Sequence, residues 1–478
     1  MYSLDDIQSK QKPLRSWSTI QFGISYISSI LRAHGHQTRL LVLGSNKWME
    51  SIHFVHNTIG EFDPHLICFT AVFSQYSFIK KLAKYIKDQW PDKFLIIGGV
   101  HATLNPNDVI HDPFDALCVG EGEFPTLELC DQLESKQSPH GIANLWIKHD
   151  NGLIERNEPR AFFQDLDVLP IPDREMWGPW TKAQPNDEMS VLLGRGCPYD
   201  CTYCSNHALR EVAGGKYVRM RSPENIIKEL AFLYNHYPQR KIYFEVESIA
   251  LKKSWAIELC SQLEAFNSSI NNSFSYGCNF RITLNSMNEE LFLAFEKANF
   301  FRINIGLESG SERIRREVLK RYYSNQDFLN VVSMARNHGL DIHLFNMIGI
   351  PGESLFDHME TVRLNKSCQP KGHFTSIFFP YPGTELYNTC IQQGLIPDPI
   401  DTRMERRQTS VELPDFTKKQ IQRAYTWFNY RIYKGHKPRW ILLIQTFAVK
   451  IQSNPKTNYL YRKMVQWPII RIFYEKLA

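Results

Sequence analysis

The stretch Cys197-Pro-Tyr-Asp-Cys201-Thr-Tyr-Cys204 sets three thiols within eight residues, directly after the apolar run Val191-Leu-Leu193. Three thiolates at the end of a strand can converge on one metal centre. A four-iron, four-sulfur cluster held by three cysteines keeps one iron open for a substrate or cofactor, which is a catalytic arrangement. Zinc would take a fourth Cys or His, and His207 is the candidate at that distance. A redox Cys-x-x-Cys pair would give the third thiol no role.

Outward from this stretch, strand and helix alternate on both sides. Downstream, candidate strands fall at 191–194, 242–246, 275–280, 302–306, 342–348 and 374–378, with helical spacing between them, as in 223–236 and 288–298. Six strand–helix repeats predict a barrel-like, parallel sheet. Upstream, Ile79, Leu82, Ala83, Ile86 and Trp90 recur at helical spacing. Apolar runs at 66–70, 94–97 and 116–119 surround that helix, as in a parallel sheet covered on both faces. Each run ends in Thr70, Gly98-Gly99 or Gly120-Glu-Gly-Glu123, where such sheets bind ligands. The Pro-, Asp- and Trp-rich residues 151–187 read as a linker. The predicted organisation is an α/β domain over 1–150, that linker, a barrel core over 188–395 and a helical extension over 396–478.

The 478 residues are 43% hydrophobic and 22% charged, which excludes collagen-like, coiled-coil and mainly disordered chains. The net charge of +5 is unevenly placed. Residues 415–478 carry 13 Lys and Arg against two acids, a net +11, which leaves −6 for the rest. No leader of secretory type and no apolar run of about 20 residues is seen. Most of the ten cysteines sit singly among aliphatics, as buried hydrophobes do in a reducing compartment, so a cytoplasmic protein is expected.

The cysteine spacing, with aromatic Tyr203 before the last thiol, resembles the cluster loop of the radical S-adenosylmethionine (SAM) superfamily. Gly306-Leu-Glu-Ser-Gly310, Gly349-Ile-Pro-Gly-Glu353 and Pro380-Tyr-Pro-Gly-Thr-Glu385 resemble later segments of that family, in the same order. The resemblance implies a 4Fe-4S cluster on Cys197, Cys201 and Cys204. It also implies SAM contacts from Tyr203, Glu247, Arg281, Glu308, Ser309 and Ile350. Phe244-Glu-Val-Glu-Ser248 departs from the pattern, keeping an acid at Glu247 where this branch often carries two adjacent Asp. A lone carboxylate at Glu308 on an apolar strand needs a partner, either ribose hydroxyls or a structural ion pair with an arginine such as Arg281.

Residues 63–123 resemble the cobalamin-binding domain that precedes the barrel in one large subfamily. The matching elements are Asp63-Pro-His-Leu-Ile-Cys-Phe-Thr70, Gly98-Gly-Val-His101 and Val119-Gly-Glu-Gly-Glu123. The implied fold is an N-terminal Rossmann-like cobalamin-binding domain, a partial (β/α)6 radical SAM barrel and a helical extension. Cobalamin contacts are implied for Thr70, Gly98, Gly99, His101, Gly120, Glu121, Gly122 and Glu123. Asp63-x-His65 imitates a cobalt-ligating motif, but Cys68 stands at its glycine position, so His65 reads as a solvated residue before a strand. The polar Met1–Ser18 shows no opening strand. Either the start is set too late, or the sheet lacks its first strand and the corrin pocket is incomplete.

The expected activity is cobalamin-dependent C-methylation of an unactivated carbon, one SAM giving the radical and a second the methyl group. Cobalamin-independent radical chemistry and cobalamin-dependent rearrangement or cyclisation are the alternatives. A non-enzymatic iron–sulfur or corrinoid-binding protein would lack the glycine segments at 306–310 and 349–353. The partners implied are a small-molecule or lipid-like substrate and an external electron donor. No nucleic-acid motif accompanies the basic tail. That tail interleaves its charges with Tyr425, Trp427, Phe428, Tyr430, Tyr433, Trp440 and Phe447. It reads either as a peripheral membrane contact through 415–478 or as a helical cap on the barrel.

Overall fold

Ile79, Leu82, Ala83 and Ile86 do share one helix face, and all four are fully buried. They belong to a computed structural model that describes residues 1–4, 14, 20–181, 184–283, 286–397, 400–402, 405–459 and 461. The chain forms two units: Met1–Tyr199 with Ser205–Arg240, and Asp200–Cys204 with Lys241–Ala478.

The first unit runs β1 (Tyr2–Leu4), α1 (Phe22–Ala33), β2 (Val42–Gly44), α2 (Trp48–Phe62), β3 (Leu66–Thr70), α3 (Phe73–Gln89) and β4 (Phe94–Gly98). Short helices α4 (Val100–Leu104) and α5 (Pro106–Val109), β5 (Ala116–Cys118) and α6 (Glu123–Glu134) follow. Strands β3, β4 and β5 are parallel, and their register puts Thr70 opposite Gly98. The polar and glycine-rich strand ends therefore come out along one edge. An opening strand is present after all, because β1 pairs in parallel with β2. Only three residues form it, too few for an apolar pattern to show. The rest of the expected strandless region, 5–13 and 15–18, lies outside the described residues.

An antiparallel pair, β6 (Leu145–Lys148) and β7 (Ile154–Arg156), extends the sheet beyond β5. Strand β7 occupies the start of the stretch that reads as a linker, while β6 lies within the predicted 1–150 domain. The remainder of that stretch is also pinned down. Trp177 is fully buried and its indole donates to Ser25 Oγ at 2.8 Å, while Asp173 takes Ser28 Oγ at 2.7 Å and Arg32 Nη1 at 3.1 Å. Proline and tryptophan here mark packing against α1, which composition alone does not separate from a loose tether. The unit closes with β8 (Glu188–Leu192), β9 (Gly194–Arg195), α7 (Asn206–Arg210), β10 (Arg219–Met220) and α8 (Pro223–His236).

In the second unit five parallel strands stand in chain order: β11 (Lys241–Glu245), β12 (Ser275–Phe280), β13 (Phe300–Glu308), β14 (Asp341–Ile348) and β15 (Gly372–Ile377). Helices α9 (Lys253–Ser268), α10 (Glu289–Lys297), α11 (Asn325–Asn337) and α12 (Leu355–Cys368) connect them, so every crossover is a βαβ unit. Local chemistry starts these helices. Ser324 with Asp327, and Ser354 with Asp357, form reciprocal capping boxes on α11 and α12. After α13 (Glu385–Gln392) come α14 (Lys418–Tyr433) and α15 (Arg439–Gln452). Helix α14 buries Ile421, Phe428 and Ile432 in the core made by Ile348, Ile377 and Phe378. It is the helical cap anticipated for the tail; residues 460 and 462–478 lie outside the described residues.

Candidate active site and cofactor cavity

Residues 200–204 of the cysteine loop belong to the second unit, where two backbone anchors hold them. Thr202 Oγ1 donates to the Val318 carbonyl at 2.6 Å, and the Leu386 N–H donates to the Thr202 carbonyl at 2.9 Å. Cys201 is buried, and Arg281 Nη1 lies 2.8 Å from its sulfur. Arg281 is itself oriented by its backbone N–H, which donates to Ser248 Oγ at 3.1 Å.

The Tyr203 hydroxyl donates to Glu308 Oε1 at 3.1 Å and accepts from Arg321 Nη1 at 3.0 Å. Glu308 ends β13 with φ of 63°, a left-handed conformation costly for a residue with a Cβ. The β13–β14 register shifts at this point, between Gly306 and Glu308. A Cβ on Gly306 would come within 2.8 Å of Glu308 Oε1 and 3.1 Å of Arg321 Nη2, so a side chain there would displace the ends of this pair. Burial pushes the Glu308 carboxyl above the usual range, and Arg321 pulls it partly back.

The Glu308 ion pair is with Arg321, at 3.7 Å, and not the one anticipated with Arg281. Arg321 is also buried and donates to the Gly306 carbonyl. Tyr323 donates to the Leu307 carbonyl at 3.0 Å, and Arg315 Nη1 to the Ser309 carbonyl at 2.7 Å. Three side chains from 315–323 thus clamp the backbone of 306–309. A π-helical turn, Ile314–Val318, sets their phase. The sequence reading passed over Arg315, Arg321 and Tyr323. Their signal was two arginines and a tyrosine close behind Gly306–Gly310, in a stretch that reads as an ordinary charged helix.

The other expected SAM residues are less alike. Glu247 is exposed just past β11. Ser309 is buried, with its hydroxyl 3.4 Å from Thr361 Oγ1 and accepting the Ser311 N–H at 3.2 Å. Ile350 is buried in the core, and its N–H donates to Glu353 Oε2 at 3.2 Å. The side chains of Ser309 and Ile350 are therefore packed and not open to a ligand. Glu353 also takes the Gly349 N–H at 2.6 Å, and burial raises its carboxyl to about 8.

In the first unit a cavity of about 1070 Å³ opens at the strand ends. Thr70, Gly98, Gly99, Gly120, Glu121, Gly122 and Glu123 all line it. Drug-sized ligands occupy pockets of roughly 300–1,000 Å³, so this volume suits a larger, corrin-sized group. At Gly99 φ is 92°, and a Cβ would lie 2.6 Å from Thr70 Oγ1 and 3.0 Å from the Ala71 carbonyl. His101 is the exception among the expected contacts. It lies off the wall with its ring 4.1 Å from that of Tyr76, and burial lowers it to about 4. His65 stays exposed ahead of β3.

Glu121 and Glu123 are not free carboxylates. Arg195 binds Glu121 at 2.9 Å and Glu123 at 2.5 Å, and Arg219 binds the other oxygen of Glu121 at 2.9 Å. Both arginines line the cavity, and sequence reading missed them because they lie more than 70 residues from the acids they pair with. Arg195 leads into Gly196-Cys197, where φ of 85° and the nearby Tyr217 carbonyl admit only glycine at 196. Among the described residues, the group of His, Cys, Asp or Glu side chains close enough to share one ion is His36, Asp131 and Glu134. It includes none of the three loop cysteines, so the zinc reading gains no support.

These two constellations coincide with two family patterns: the B12 binding domain matches residues 18–129, and the radical SAM superfamily matches residues 191–364. An uncharacterised methyltransferase of Pyrococcus horikoshii is 28% identical over 423 residues, covering 86% of this chain and 87% of that protein. The cytidylyl-2-hydroxyethylphosphonate methyltransferase of Streptomyces wedmorensis is 24% identical, covering 83% and 82%. Among solved structures, the radical SAM methyltransferase TsrM from Kitasatospora setae, with cobalamin and a [4Fe-4S] cluster bound, superposes with a TM-score of 0.65. It is 15% identical and covers 94% of this chain and 90% of its own, a likeness of fold. The chain belongs to the radical SAM enzymes that carry an N-terminal B12-binding domain.

Proposed function

We propose that this enzyme methylates an unactivated carbon of a small-molecule or lipid-like substrate, using a 4Fe-4S cluster, SAM and cobalamin. The observation that carries the cobalamin half is the corrin-sized cavity lined by Gly98, Gly99, Gly120 and Gly122. When bound, the cluster and SAM supply a hydrogen-abstracting radical and cobalamin supplies the methyl group. Cys197, Cys201 and Cys204 would hold the cluster, and an external donor would reduce it. Arg281, with Nη1 2.8 Å from the Cys201 sulfur, would orient that ligand. Tyr203 and Arg321 hold the Glu308 carboxylate at the end of β13, where it can accept hydrogen bonds from the SAM ribose. Arg195 and Arg219 neutralise the cavity-wall glutamates Glu121 and Glu123. Seven of the ten cysteines are buried, as small hydrophobes are, which fits a reducing, cytoplasmic compartment.

The test is anaerobic preparation with hydroxocobalamin, followed by corrinoid, iron and sulfide analysis and SAM cleavage under dithionite. About one corrinoid and one cluster per chain are expected. Normal SAM cleavage without retained corrinoid would transfer the assignment to cobalamin-independent radical chemistry.

A further inference from the structure

Helix α15 buries only Leu442 and Thr446, while Trp440, Leu443, Ile444 and Phe447 are exposed by 56%, 48%, 37% and 61%. The spacing i, i+3, i+4, i+7 puts these four on a single stripe facing away from the packed side. At 100° per residue, the exposed Arg439 and Lys450 both fall along one flank of it. Charge over the region is one-sided: residues 418–459 hold nine Lys and Arg and no Asp or Glu. A contiguous apolar stripe of this kind marks an interaction surface. Had a soluble protein been its natural partner, mixed charges would be the usual rim. The two cations on one flank, with no acid anywhere in 418–459, instead complement a surface of uniform negative charge. No described helix is long and apolar enough to cross a membrane, so the geometry is that of a helix lying in the interface.

We infer that α15 docks this enzyme on an anionic phospholipid bilayer, with Trp440, Leu443, Ile444 and Phe447 entering the headgroup boundary and the flanking cations reading the lipid charge. Helix α14 stays behind as the structural cap, its apolar face already occupied. The tail thus combines the two roles between which its composition does not choose. The docking surface does not rest on the methylation reading, since it needs no cofactor.

Sedimentation of the full-length, cofactor-loaded protein with vesicles tests it. Binding is expected to phosphatidylcholine vesicles that contain phosphatidylglycerol, to be absent with phosphatidylcholine alone, and to fall as salt shortens the screening length. Replacing both Trp440 and Phe447 by Ser should weaken binding at least about tenfold, with the melting temperature and dithionite-driven SAM cleavage unchanged. Arg439→Gln with Lys450→Gln should weaken it about fivefold per charge. Protein that remains in the supernatant with anionic vesicles at low salt overturns the proposal. So does undiminished binding by the Trp440/Phe447 variant. A dimer that this variant dissociates would make a second copy the occupant and equally overturn it.

Discussion

At Glu308 a carboxylate sits in strained backbone, with Tyr203 and Arg321 as its two partners. Replacing it by Gln keeps the shape and removes the charge. A charge-assisted hydrogen bond contributes about 1.5–3 kcal/mol, so Glu308→Gln should weaken SAM about ten- to a hundredfold in equilibrium dialysis. Arg321→Met acts differently, because it leaves a buried carboxylate without its cation. Breaking such a pair costs about 3–5 kcal/mol, which thermal unfolding should register, and Glu308→Gln in the same chain should recover part of it. Glu308 was legible because a lone acid within an apolar strand demands an explanation. Arg321 was not, since Tyr203 lies 118 residues away in sequence and no local pattern joins them.

Elements with a strong period were read closely: α8, α10, β3, β4, β11, β12 and β14 to within a residue at each end, while β13 runs two residues further at both ends, β15 starts two residues earlier, and α3 starts at Phe73, six residues before its periodic stripe. Those missed were short or compositionally ambiguous, namely β1, the β6–β7 pair and the packed turns around Trp177. How the tail packs is invisible to periodicity but brings a measurable consequence. His358 on α12 lies against Phe416 and Phe428, and burial lowers it to about 3; His373 on β15, beside Phe428 and Tyr433, is lowered to about 4. Both are neutral when folded but would be protonated below about 6.5 when unfolded. Their stabilisation is therefore whole above about pH 6.5 and drains away as pH falls towards 4. For His358 the loss at pH 5 is about 2 kcal/mol. Among the described residues neither of its ring nitrogens has a hydrogen-bond partner, so His358→Leu should raise the melting temperature at pH 7 and flatten its fall towards pH 5.

Over the whole molecule the cofactor sites can be emptied one at a time. Cys201→Ala should lose the cluster's absorbance and all SAM cleavage while corrinoid is still retained. Cys260→Ala, in a buried position on α9, should keep both. Gly122→Leu is the converse. Its φ of −101° accepts a side chain, and the nearest obstacle is Ile27 Cδ1 at 3.3 Å from the new Cβ, so leucine would crowd a wall of the cavity. Corrinoid content should drop with iron and sulfide unchanged. Composition suggested a cut between domains near residue 187, yet the compact units divide elsewhere. The chain leaves the first unit at Asp200, returns at Ser205 and leaves for good at Lys241. Neither half is a contiguous cassette that recombination could lift out whole. Cutting the chain at any single point leaves part of one unit joined to the other, so the two units cannot be produced as two unbroken halves.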